Sequence, residues 1–205
     1  LDETPLSFDM LAQALSWLSG AELAVAARTS KHFRRVAPEA VRLHLERLVK
    51  HAGRPFRRQE MCIDLLKQVE QERKRVPAIL SQISRNTIQF SALFDELQGM
   101  LPQVLASMAP LIVAKMRELR RIGKGDDPHD ELPMMRDGMM LLLDQASISQ
   151  RELVDIEKDV LDHLEGEKNS DDDIKMVTGA MSLIRRMPAA VIEKRISTVM
   201  WWLTN

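Results

Sequence analysis

Tyrosine is absent from this chain, cysteine occurs once, and aromatic residues make up only 4% of its 205 positions. The lone Cys62 excludes an intramolecular disulfide and is compatible with a reducing compartment. It stands among Met61, Ile63, Leu65 and Leu66, and apolar neighbours at helical spacing predict a small core filler rather than a reactive thiol. No apolar run approaches the roughly 20 residues of a membrane-spanning helix, so a soluble chain is expected. Because residue 1 is leucine, the sequence is expected to be trimmed, and the lack of a leader segment carries no meaning.

Catalytic and ligand-binding signatures are missing as well. Gly123-Lys124-Gly125 lacks the spacing and flanking strand of a phosphate-cradling loop. The five histidines, His32, His44, His51, His129 and His163, lie far apart with no cysteine partners, which argues against zinc. Asp126, Asp127 and Asp130 miss the ligand spacing and central glycine of a calcium loop. His129-Asp130-Glu131-Leu132 matches an endoplasmic-reticulum retention signal only in spelling, because such signals are read at a free C-terminus. Asp155 and Asp159 share a helix face without a pocket and are expected in solvent. No catalytic residue, metal or cofactor is expected, and the chain is read as a non-enzyme.

Present in their place are 13 methionines and arginine-rich, alanine-rich stretches that favour helices over strands. No segment alternates polar and apolar residues at period two. Ser7 predicts the cap of a helix over 8–18, and Ser19-Gly20 ends it. Short helices follow over 22–28 and from Ser30, and Pro38 predicts the opening of a further helix to about 51. Gly53-Arg54-Pro55 is the strongest break in the first third. Beyond it, helices are expected over 56–75, from Pro77 to about 98, and over 101–122 with a kink or split at Pro110. A polar loop over 123–130 precedes a Met/Leu-rich helix over 132–145. Ser149 and Glu152 form a capping box opening a helix to Gly166. Ser170 and Pro188 predict the last two starts.

The net charge of −1 hides a polar arrangement. Between Arg28 and Arg75 the chain carries 14 Lys/Arg against 6 Asp/Glu, a net +8, whereas between Asp126 and Asp173 it carries 16 acidic against 4 basic residues, a net −12. Such asymmetry fits two partner surfaces, two ends that attract each other, or simply solvated helix faces.

Residues 6–37 hold the most specific pattern. Leu6, Asp9, Met10 and Leu11 open it, Leu15 and Leu18 continue the apolar face, Glu22-Leu23 follows, and Ser30-Lys31, Phe33 and Arg34 close it. This segment resembles the F-box without a gap, with Ser7 in place of the usual proline and Ala14 and Thr29 in place of larger apolar residues. The resemblance implies a three-helix motif over 1–52 that binds the Skp adaptor of an SCF cullin-RING ubiquitin ligase. The implied Skp-facing residues are Leu6, Asp9, Met10, Leu11, Leu15, Leu18, Leu23, Lys31 and Phe33. Leucines left outward on the first helix would then form an apolar strip needing a groove; alternatively they pack on downstream helices.

The fold expected is therefore all-α, an F-box-like motif packed on or followed by an irregular bundle of about six to eight helices over 56–205. That bundle would recruit a target protein for ubiquitination, as in bacterial F-box effectors acting in the cytosol or nucleus of a eukaryotic host. The arginines Arg54, Arg57 and Arg58 are the candidate target-binding cluster, and an exposed part of the Met134-Met135-Met139-Met140 stripe is a second candidate, although its spacing favours core. Two other readings remain. One is a helical scaffold without Skp. The other is a nucleic-acid binder using the basic segment, against which the acidic later part argues; no nucleic acid and no membrane are expected as partners.

Overall fold

The computed structural model describes residues 7–50, 55–83, 87–122, 132–168, 177–193 and 200. All regular structure among them is helical. The helices divide between two compact units, residues 1–50 with 54–75 and residues 51–53 with 76–205. The division thus falls at Arg75/Val76, inside a helix, rather than at the Gly53–Pro55 break.

In the first unit, α1 (Phe8–Leu15) starts at Ser7, whose hydroxyl accepts from Met10 N. Helix α2 (Gly20–Thr29) starts at a full capping box between Ser19 and Glu22. Helix α3 (Lys31–Leu48) is capped by Ser30 and runs unbroken through Pro38. Proline removes one backbone donor and crowds the carbonyl four residues earlier, yet α3 continues because Val36, Ala37, Ala40, Val41 and Leu45 on both sides of Pro38 enter one core. Both α1 and α2 pack on α3.

A 3₁₀ turn at Arg58–Glu60 leads into α4 (Ile63–Gln82), which likewise continues through Pro77. Helix α4 reaches back to α2 through Glu70, whose carboxylate accepts from Gly20 N at 3.0 and 3.1 Å. Here a carboxylate meets the positive end of a helix. A side chain at position 20 would strike Lys67 Cγ at 2.7 Å, so glycine permits the close approach. Cys62 is exposed and precedes the first turn of α4, where its Sγ accepts from Leu65 N at 3.4 Å. The expectation of a buried core cysteine fails because the helix starts at Ile63 and not at Phe56, which leaves Cys62 ahead of its first turn while Leu66 and Val69 enter the core.

The second unit continues with α5 (Thr87–Gln98), α6 (Pro102–Ser107), α7 (Ala109–Ile122) and α8 (Leu132–Gln145). The split between α6 and α7 falls at Met108, with Pro110 in the first turn of α7. Then come α9 (Gln150–Asp155), α10 (Glu157–Lys168), α11 (Thr178–Ile184) and α12 (Ala189–Glu193). The capping box at Ser149 is present, but the helix after it breaks at Ile156. The polar loop over 123–130, the Ser170 cap, the Gly53-Arg54 pair and the Trp201-Trp202 end lie outside the described residues.

Helix α8 is the centre of this unit and touches α5, α6, α7, α10 and α11. Met135, Met139, Met140, Leu142 and Leu143 are fully buried and Met134 is half-buried, so most of the methionine stripe is core. Gly138 leaves room for the stacked rings of Phe90 and Phe94, whose centroids lie 5.5 Å apart. Buried Asp137 accepts from Gly179 N and Ala180 N, each at 3.0 Å, and lies 3.8 Å from Nε2 of fully buried His163. Burial of a carboxylate requires such partners.

Candidate partner-docking surface

Among the described residues, the large apolar side chains left exposed are Phe8, Met10, Trp17 and Val25 in the first unit and Leu111, Val154 and Met200 in the second. Their arrangement follows from the helical period. Leu11, Ala12, Leu15 and the following Ser16 are buried, which leaves Met10, Gln13 and Ala14 exposed on α1 and Trp17, at i+7 from Met10, exposed just past the C-cap Ser16 and beside Arg47 of α3. Met10 is 57% and Trp17 77% exposed.

Trp17 is not a loose side chain. The guanidinium of Arg47 lies 3.8 Å from its ring centroid, an attraction worth about 0.5–1 kcal/mol at an exposed site. Arg47 also donates to the carbonyl and hydroxyl oxygens of Ser16, tying the end of α1 to α3. Beside the ring opens a cleft of about 510 Å³ with Gln13, Leu43, Glu46 and Lys50 in its walls. An aromatic plane fixed over a cation is suited to receiving apolar side chains of another protein.

The sequence-derived site residues separate into two groups. Leu11 and Leu15 are each 8% exposed and Leu23 is fully buried. They pack within the first unit and do not form the outward apolar strip. The reason is geometric, since α3 packs both on α1, which carries Leu11 and Leu15, and on α2, which carries Leu23. Asp9, Met10 and Lys31 are exposed, Leu18 and Phe33 half-buried. Leu18 lies where its carbonyl contacts His44 Nδ1 at 2.9 Å. Leu6 and Arg54 fall outside the described residues. Arg57 and Arg58 are exposed but belong to the first unit, not to the bundle over 76–205. Sequence reasoning missed Trp17, although its i+7 relation to Met10 was available to it, and Phe8, whose exposure depends on where α3 ends up.

In the second unit, a cleft of about 210 Å³ is walled by Ala109, Pro110, Val113, Ile148 and Ile156. Two of its charged rim residues, Arg117 and Glu152, are already engaged. Arg117 donates to Asp159 Oδ2 from Nε at 2.9 Å and from Nη2 at 2.7 Å, which holds the guanidinium above its ordinary pKa. Glu152 is engaged with Ser149. Asp159 is therefore buried and paired, contrary to the expectation of a solvated residue, while Asp155 is exposed. Among the described residues no three His, Cys, Asp or Glu side chains converge as metal ligands would, and no helix is long and apolar enough to cross a membrane.

Comparison with known proteins gives no match to any family model, characterised protein or solved structure.

Proposed function

We propose that this chain is an F-box-like adaptor, in which one face of the first unit docks the Skp subunit of an SCF cullin-RING ubiquitin ligase and other surfaces of the chain recruit a target protein in a eukaryotic cytosol or nucleus. The observation that carries the reading is the outward face of α1. Met10 and Trp17 are exposed at helical spacing within the segment that resembles the F-box. An amphipathic helix offering such a face is recognised by burial in a partner's groove. The docking residues are then Met10, Ala14 and Trp17, flanked by Asp9 and Lys31, with Leu11, Leu15 and Leu23 holding the helices that present them.

The burial of those three leucines favours a second reading, a helical scaffold that binds no Skp. The two readings are separated by capture of purified Skp on the full chain. The adaptor reading expects wild type to capture Skp and Met10→Asp/Trp17→Asp to lose capture with its melting temperature within a few degrees of wild type. Leu11→Ala should instead lose about 2–5 kcal/mol of stability. Failure of the wild-type chain to capture Skp, or equal capture by the double variant, refutes the adaptor reading.

A further inference from the structure

A second surface on the first unit lies round α1 from the face just described. Phe8 stands about 160° from Met10 at 100° per residue, on the side of α1 that faces α3. It is 48% exposed because it sits at the open end of the helix. Together with Pro38 and Met61 it walls a groove of about 320 Å³ whose remaining lining is Arg35, Glu39, Arg42 and Arg58. That volume is at the lower end of the roughly 300–1,000 Å³ of ligand-binding clefts, enough for one or two side chains.

The charges in this groove are unequal in their commitments. Arg42 is engaged on both sides, by Glu39 and by Glu46. Hydrogen bonding from Arg42, and then the charges of Arg42 and Arg58, hold the carboxyl of Glu39 below its ordinary range. Arg35 and Arg58 are exposed, and neither has a carboxylate within ion-pair distance among the described residues. With Glu39 and Glu46 both engaged on Arg42, Arg35 and Arg58 are the two cations of the groove without an ion-pair partner among the described residues, set beside the apolar wall of Phe8, Pro38 and Met61.

We infer that this groove docks an acidic protein segment carrying an apolar anchor residue. The anchor enters between Phe8, Pro38 and Met61, and carboxylates on either side meet Arg35 and Arg58. Carboxylates pair with guanidiniums in a planar, two-pronged geometry, and the apolar walls reward a side chain that a bare polyanion lacks. A nucleic-acid strand is the poorer fit. Its phosphates follow one another in a row and gain from a row of cations, whereas here the cations gather around one groove with Glu39 between them. The inference deepens the adaptor reading by naming the class of target, and rests on that reading only in calling the bound segment a target.

The test is fluorescence anisotropy of the full chain with a labelled twelve-residue peptide of glutamate and aspartate containing two leucines. Glutamate-only peptide and a twelve-residue oligothymidylate serve as competing probes. Wild type should bind the leucine-containing peptide about tenfold more tightly than either, and each of Arg35→Glu and Arg58→Glu should weaken it by at least about tenfold, as expected for loss of one charge-assisted contact. Both positions are exposed, and Arg35→Ala supplies a milder variant should the reversal disturb α3. Phe8→Ala should weaken the peptide and leave the glutamate-only probe unchanged. Equal binding of the two peptides, insensitivity to Arg35 and Arg58, or tighter binding of the oligonucleotide overturns the inference. Met10→Asp/Trp17→Asp should leave peptide binding intact, so loss of Skp capture and loss of peptide binding report separately on the two surfaces.

Discussion

Replacing Gly179 by alanine adds one methyl group where α11 crosses α8. A Cβ there would lie 2.2 Å from the carbonyl oxygen of Asp137, 2.6 Å from Leu141 N and 3.1 Å from Met140 Cβ. The first two are backbone atoms and cannot rotate away, so α11 must retreat by about 1 Å to restore ordinary contact. That movement lengthens the 3.0 Å bonds from Gly179 N and Ala180 N to the Asp137 carboxylate. Overpacking a closed site costs about 1–3 kcal/mol, and weakening hydrogen bonds to a buried charge adds about 1–3 kcal/mol. Alanine's better helix propensity returns at most about 1 kcal/mol. With that return at its full value the net loss is about 1–5 kcal/mol, a fall of roughly 4–20 °C in the unfolding midpoint for a unit of this size. Gly99→Ala provides the contrast, because its nearest neighbours would lie at 3.6 Å and no glycine among the described residues has positive φ. There the same change should be neutral or stabilising by up to about 1 kcal/mol. Calorimetry of the full chain resolves the transition to which residues 76–205 contribute. If Gly179→Ala melts within about 2 °C of wild type, the close crossing of α8 and α11 is wrong.

Two further outcomes follow from the first unit. Cys62, being exposed, should react with a thiol reagent in the native state at nearly the rate seen in denaturant; reaction only after unfolding would place it in the core. Glu22 is held below its ordinary pKa of 4.5 by the hydrogen bond from Ser19 N and then by that from the Ser19 hydroxyl. A lowered folded-state pKa contributes stability above the ordinary value that is lost as pH falls through the folded one. The melting difference between wild type and Glu22→Ala should therefore be constant above about pH 5.5 and shrink towards pH 3; a difference that persists or grows on acidification removes Glu22 from the cap.

Helix identity was readable wherever the deciding interaction is local. Ser7, Ser30 and Ser149 cap helices as their side-chain chemistry predicts, and α8 occupies Leu132–Gln145 as its apolar pattern implies. Proline misled because its cost is local while its compensation is tertiary. Pro38 and Pro77 both read as helix openers, yet each lies inside a helix. In α3 the buried residues before and after the proline pack into one core, and their burial outweighs a cost of about 3 kcal/mol. The same omission shifted Cys62, since nothing local says whether α4 starts at residue 56 or 63. The break at Ile156 has no proline or glycine to announce it.

The candidate site shows why a pattern of leucines carries less about function than the residues between them. Leucines at positions 11, 15 and 23 satisfy an F-box-like spacing, but the same spacing is what packing α1 and α2 on α3 demands, and their burial uses them for that. A partner can read only what the core leaves outside, which on the proposed Skp-facing surface includes Asp9, Met10, Ala14, Trp17 and Lys31. These positions are free of the packing constraint, so an exposed tryptophan kept over Arg47 is harder to explain by folding than any buried leucine. Discrimination between an adaptor and a self-contained scaffold therefore lies in that outward face. Truncating Trp17 to alanine should cost the fold only the roughly 0.5–1 kcal/mol of its contact with Arg47. If the face docks a helix-binding groove, the same truncation should weaken Skp capture by at least about tenfold, the loss of a central aromatic contact of about 2 kcal/mol. An effect on stability without one on capture would leave Trp17 as a clasp between α1 and α3 and nothing more.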